Sequence, residues 1–284
     1  MAQIHKDSVI LKILIYLFVF VLFIWVGVPF YWMFVTSIKT PLEVSRIPPS
    51  YWPKNPVFSN YITVWSHIPL LRQMFNSFYI TLLTIAISLA LTATTSYSLS
   101  RFNFKGKNFV LGFLLFVQLV PLTVYLIPLY FTLLRLKLLN KVTGLVICYG
   151  IIGIPYMALL MRSYFKNAYP LELEEAAIID GCSRFGTFIR IGLPLTRSGL
   201  IAVSTLTAIN TWKEFLFASI VIRKGSMRPV SVGIYDIIGE HGLAFTRIGI
   251  FMTACTLVCI PLIIAFIFVQ RYIVEGLSGG AVKG

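Results

Sequence analysis

Charge is scarce in this sequence. Only 12% of its 284 residues are Asp, Glu, Lys or Arg, about half the usual share of a soluble domain. Histidine is scarcer: His5, His67 and His241 all fall in terminal or loop positions. Acid–base chemistry inside the apolar segments therefore has almost nothing to work with. No Ser/His/Asp set, His-rich tract or paired-carboxylate site is evident. A phosphate-cradling GxxxxGK[ST] loop is missing too, because Gly106-Lys107 lacks both the upstream glycine and the following hydroxyl. Four scattered cysteines give no disulfide framework. Cys255 and Cys259 share a helix face, but no His or carboxylate joins them, so they read as small apolar fillers rather than metal ligands. The chain reads as non-catalytic, without cofactor or metal of its own. Apolar/polar alternation is absent as well, which removes the β-barrel.

What the chain has is long apolar runs. About 20 apolar residues cross a bilayer as a helix, and six stretches reach or approach that length: 13–38, 76–100, 108–134, 142–161, 198–222 and 248–270. Backbone groups in hydrocarbon must be satisfied within each segment, so the expected fold is an all-α membrane protein with six transmembrane helices. The first run is too long for a signal-peptide core and no small-residue cleavage site follows it, so it is expected to persist as an anchor. Trp25, Tyr31, Trp32, Trp52 and Trp65, near its outer end or in the following loop, suit an interfacial belt. The net charge of +14 comes from loops flanking the runs, which points to anionic lipid headgroups rather than nucleic acid. Basic residues divide almost evenly between the two sides, so loop charge does not orient the bundle.

One helical bundle is expected, with a long first loop at 39–75. Six prolines (Pro41, Pro48, Pro49, Pro53, Pro56 and Pro69) make that loop irregular. The last residues, GLSGGAVKG, read as a flexible tail. In the second run Ser77, Thr81, Thr84, Ser88, Thr92 and Thr95 lie on one face, either for close helix packing or to line a solute path. The third run carries Gln118, Pro121 and Pro128, whose prolines bend a helix with or without a pathway beside it. Lys213 and Glu214 break the fifth run. Charges at that depth face the bundle interior or water, serving either a pathway or structure.

The stretch at 162–197 is charged and lies between two runs. Pro170 can open a helix, and Glu172, Glu174 and Glu175 suit its first turns. Ala176 and Ala177 leave little bulk, and Gly181 fits the C-terminal left-handed position. Ser183 can cap a second short helix toward Ile191, which Pro194 would stop. A helix–turn–helix outside the membrane follows.

Its spacing is Glu-Ala-Ala, three residues, Gly, nine residues, Ile-x-Leu-Pro. This resembles the signature loop of permease subunits in binding-protein-dependent ABC importers, matched at Glu175, Ala176, Ala177, Gly181, Ile191, Leu193 and Pro194, with Asp180 also fitting. TSIKTPLEV, NSFYITLLT, LSRFNFKGK and VPLTVYLIPLYFTLLRLKLLN resemble the carbohydrate-uptake branch, and the terminal QRYIVEGLSGGAVKG is similar to the end of the smaller, MalG-like subunit of maltose-type permeases. TWKEFLFA departs from that pattern, with Lys213 where relatives often carry Asn.

The resemblance implies a type I ABC importer permease bundle: a first span and outer loop at 1–70, a permease domain at 71–271 and a cytoplasmic tail at 272–284. It implies an ATP-driven importer of an oligosaccharide or related polyol. Glu174, Glu175, Ala176, Ala177, Asp180, Gly181, Ile191, Leu193 and Pro194 would form the coupling helix region seated in an ATPase. Gln118, Lys213 and Glu214 are the candidates for the translocation pathway. The implied partners are a second, similar permease subunit, two ATPase subunits that hold ATP and Mg, an extracytoplasmic solute-binding protein and membrane lipids. The implied location is a prokaryotic cell membrane with both termini cytoplasmic. Loop 223–247 would reach the binding protein, and the tail from Gly276 would approach the ATPases. The rival reading is a secondary transporter driven by an ion gradient through Lys213 and Glu214. A membrane-embedded enzyme is the weakest reading.

Overall fold

The computed structural model describes residues 2–239 and 245–281, with side chains at 9–239 and 247–270. In chain order the helices are α1 (Ala2–Ser37), α2 (Pro41–Val44), α3 (Asn60–His67), α4 (Leu70–Arg101), α5 (Lys107–Leu119), α6 (Leu126–Arg135), α7 (Val142–Ala168), α8 (Leu171–Ile179), α9 (Arg184–Thr187), α10 (Leu193–Leu195), α11 (Arg197–Lys213), α12 (Leu216–Val221), α13 (Val230–Tyr235) and α14 (Phe245–Ala281). Two compact units result: Met1–Pro69 with Ile234–Cys259, and Leu70–Gly233 with Ile260–Gly284.

In the first unit every side chain from 9 to 26 on α1 is exposed. Val9–Ser37 is also the most apolar of the candidate spans. In a bilayer such a surface meets acyl chains. The C-terminal end of α1 is pinned around Ser37. The Ser37 carbonyl accepts from Asn60 Nδ2 (2.8 Å) and Thr253 Oγ1 (3.3 Å), while its hydroxyl meets Tyr61 Oη at 2.9 Å. The 39–75 segment is less irregular than its prolines suggest. Thr40 caps α2, α3 forms at Asn60–His67, and α4 already begins at Leu70. Lys39 stacks on Trp32 at 4.3 Å, and burial lowers its pKa, with Glu43 opposing.

In the second unit α4 packs mainly on α7 and α11. The hydroxyl face of α4 is mainly a packing face: Ser77, Thr81, Thr84, Ser88 and Thr92 are buried, Thr95 is half-buried, and the neighbouring Ser96 is buried. Ser96 donates across to Ala158 O on α7 at 2.9 Å, and Ser77 accepts from Val230 N at 2.8 Å. Small side chains let the backbones approach that closely. Gly199 on α11 faces the Tyr164 ring so tightly that a Cβ there would lie 2.5 Å from Tyr164 Cγ.

Against the six runs expected, four helices among the described residues are long and apolar enough to cross a bilayer, Val9–Ser37, Leu70–Arg101, Val142–Ala168 and Arg247–Gln270, or five with a bent pair counted as one span. The expected run at 108–134 is a pair, Lys107–Leu119 and Leu122–Arg135, bent by 98°. Pro121 makes that break, because it drives Val120 into an extended conformation (ψ 124°). Pro128 does not, since it sits in the first turn of α6 where a missing N–H costs nothing. The run at 198–222 is divided between α11 and α12. The 17 residues of α11 span about 25 Å, short of the hydrocarbon thickness. The backbone of α14 continues as helix to Ala281, where a flexible tail was expected from Gly276. His241, residues 240–244 of the 223–247 loop and residues 282–284 lie outside the described residues, as do the side chains of the tail.

Candidate functional site

Local chemistry builds the hairpin at the end of α7. Pro170 is the N-cap of α8 rather than its first helical residue. The helix closes at Asp180, and Gly181 takes the left-handed conformation that follows (φ +89°). The Cys182 N–H bonds to Ala177 O at 2.9 Å and the Gly181 N–H to Ile178 O at 3.0 Å, the paired bonds of a Schellman motif. A Cβ at Gly181 would meet nothing within 4 Å, so glycine is required here by backbone angle and not by crowding. Ser183 then caps α9 by accepting from Gly186 N at 3.0 Å. Pro194 does not stop the chain as expected. It occupies the first turn of α10, where proline is tolerated, and a π-turn over Phe188–Gly192 leads into it.

Burial divides the expected coupling residues. Glu174 and Ala177 are buried, and Ile191 and Leu193 pack against the cluster of Tyr97, Phe165, Tyr169 and Phe188. Glu175, Ala176, Asp180, Gly181 and Pro194 are exposed. The inward residue Glu174 is the anchor of the hairpin. Its carboxylate forms an ion pair with Arg101 Nε at 3.0 Å, with the two side chains 7% and 3% accessible. It also accepts from Tyr97 Oη at 2.6 Å. The Arg101 guanidinium stacks on the Tyr169 ring at 4.3 Å and donates to the carbonyls of Phe165 and Tyr169. Burial first, and then the Glu174 charge, push the Tyr169 phenol up to about 12. Arg101, Tyr97 and Tyr169 were invisible as site residues because 73 positions separate Arg101 from its carboxylate. Outward, the hairpin shows Ile179 (84% exposed), Phe185 (72%), Leu171, Leu173 and Ile189. Apolar residues within a charged stretch were the available signal for this face.

A second feature is a cavity of about 560 Å³ in the same unit. It lies where the two broken helices meet, with Leu122 from the α5–α6 bend and Lys213, Glu214, Phe215 from the α11–α12 break. Irregular backbone at membrane depth is tolerated where it lines such a space. Ser88, Tyr149, Tyr156 and Asn210 also border it. Glu214 causes the break. Its carboxylate turns back to accept from Phe217 N (2.8 Å) and Ala218 N (3.1 Å), and it also takes the Tyr149 hydroxyl. Lys213 is exposed and has no hydrogen-bond or ion-pair partner among the described residues. Gln118 is not brought to this cavity. It lies exposed on α5 and donates to Leu114 O at 3.1 Å.

Comparison with known proteins decides the family. Residues 83–279 match the family described as binding-protein-dependent transport system inner membrane component. The chain belongs to this family. This permease is 32% identical to the sulfoquinovosyl glycerol transport system permease protein SmoH of Agrobacterium fabrum, over 90% of the chain and 88% of that protein. It is 34% identical to a probable ABC transporter permease, YurM, of Bacillus subtilis, over 95% and 88%. It is also 30% identical to the arabinooligosaccharides transport system permease protein AraQ of Halalkalibacterium halodurans, over 99% of both chains. Its fold matches a chain in the crystal structure of a bacterial ABC transporter that imports the acidic polysaccharide alginate. The TM-score is 0.78 at 22% identity, over 93% of this chain and 96% of that one. The permease is thus an all-α membrane protein with the bundle of the ABC importers, and its relatives are sugar permeases.

Proposed function

We propose that this permease carries an oligosaccharide or related polyol, delivered by an extracytoplasmic binding protein, across the cell membrane of a prokaryote. ATP and Mg are bound by two ATPase subunits, and a second, similar permease completes the path. The hairpin spanning 162–197 is cytoplasmic, as are both termini. Relatives whose names include transport of a sulfoquinovosyl glycerol and of arabinooligosaccharides support sugar as the cargo.

The observation that carries this reading is an apolar face outside the spans, held rigidly from behind. Ile179 and Phe185 project from a hairpin whose inner side is fixed by the Arg101–Glu174 pair. Exposed apolar side chains of that size on a braced element suit a protein partner. ATPase closure would move the hairpin, and the bundle would follow as a rigid body. The ion-gradient alternative gains nothing from Glu214, whose oxygens are engaged by backbone amides and Tyr149.

Phe185→Asp tests the reading, because the side chain is exposed and its loss costs the fold little. Co-purification of the ATPase subunits and ATP-dependent uptake should both fall by roughly tenfold or more, the effect of losing one interface anchor. Full retention of the ATPases by this variant and by Ile179→Asp would refute the docking role.

A further inference from the structure

We propose that the transported solute carries an anionic group and that Lys213 is the residue that receives it; this rests on the import reading above. The ionisable groups bordering the cavity are Lys213, Glu214, Tyr149 and Tyr156. Glu214 is not available to a solute, because its two oxygens serve the first amides of α12 and the Tyr149 hydroxyl. Nor does it neutralise Lys213, which forms no ion pair among the described residues although it is adjacent in sequence. Lys213 is the last helical residue of α11, whereas Glu214 is extended beyond it (ψ 128°) and turns its carboxylate to α12. The ammonium is thus the one charged group with its hydrogen-bonding capacity unspent at this cavity, and it has three donors to offer.

A charge held at a break between membrane helices needs a counter-charge or water. The C-terminus of α11 supplies only a partial negative charge. Asn210 lies three residues earlier on α11, exposed at the same cavity, so its amide and the ammonium are neighbours on one helix face. Tyr149, Tyr156 and Phe215 add aromatic surface. A volume of about 560 Å³ falls in the range of small-molecule sites. Aromatic walls, one amide and one ammonium match a glycoside that bears a carboxylate, sulfonate or phosphate. A neutral sugar would be served by the amide and hydroxyls and would leave the ammonium without a counter-charge.

The test uses the complete transporter with its binding protein and ATPases in proteoliposomes. Uptake is measured for uronate-, sulfonate- and phosphate-bearing disaccharides and for their neutral parents. At least one anionic member should enter. Lys213→Gln should raise its KM by about tenfold or more, the scale of a lost charge-assisted hydrogen bond, and Lys213→Arg should restore it. KM is independent of how much transporter folds, so poor assembly of the Gln variant does not mimic the effect. Import of neutral sugars alone, or an anion KM that Lys213→Gln leaves in place, overturns the inference while the import reading stands. ATP-dependent uptake of no glycoside of either kind would remove the import reading and this inference together.

Discussion

At the scale of single residues, the Arg101–Glu174 pair governs the hairpin. Both side chains are nearly inaccessible, so removing one leaves the other as a buried, uncompensated charge. Such losses are on the order of 3–5 kcal/mol, whereas replacing both partners by apolar groups is often close to neutral. Glu174→Gln should therefore lower the thermal stability of the detergent-solubilised permease more than the double change Arg101→Met, Glu174→Met. Melting curves of the two variants, followed by size exclusion, check the order, and a double variant less stable than Glu174→Gln would contradict it. None of this could be read from the sequence. Glu174 sits beside Glu175 in the same acidic run, and only the fold turns one inward and the other outward. Gly181 and Ser183 were legible, because a left-handed glycine and a serine cap are specified within a few residues of themselves.

At the scale of elements, the contrast is between helices that local sequence defines and breaks that tertiary partners complete. The hydroxyl stripe on α4 announced a helix face, and burial assigned it to packing rather than to a solute path, with Ser88 also reaching the cavity. Lys213 and Glu214 announced a disturbance in the fifth run. That the run divides into two helices follows from the Glu214 carboxylate capping α12, a bond whose third partner, Tyr149, is 65 residues away. Pro121 and Pro128 looked alike in sequence, yet only Pro121 bends the chain, because it holds Val120 extended at the end of α5 whereas Pro128 lies within the first turn of α6. The contact of α7 with α11 is the tightest test at this scale. Gly199→Ala would place a methyl against the Tyr164 ring, and overpacking of this kind costs about 1–3 kcal/mol. The melting temperature should fall, and Gly199→Ala combined with Tyr164→Ala should recover part of the loss. No change in the single variant would mean that the ring gives way freely.

For the whole molecule, composition alone fixed the class: low charge and long apolar runs left only helices in a bilayer. It could not fix the number of continuous spans, since a run of apolar residues does not reveal where the backbone turns aside. The Arg101 guanidinium has a consequence at this scale. Carried on the last residue of α4, it reaches the carbonyls that close α7 and the carboxylate of α8 at once. Three elements fastened to one planar group have no slack between them. Spin labels at Ser100 and Ala176 should therefore report one unchanged separation in nucleotide-free and ATP-loaded transporter, while labels elsewhere shift. A separation that changes with nucleotide would show that the joint is a hinge, and a welded joint would make every stroke of the motor arrive at the membrane undiminished.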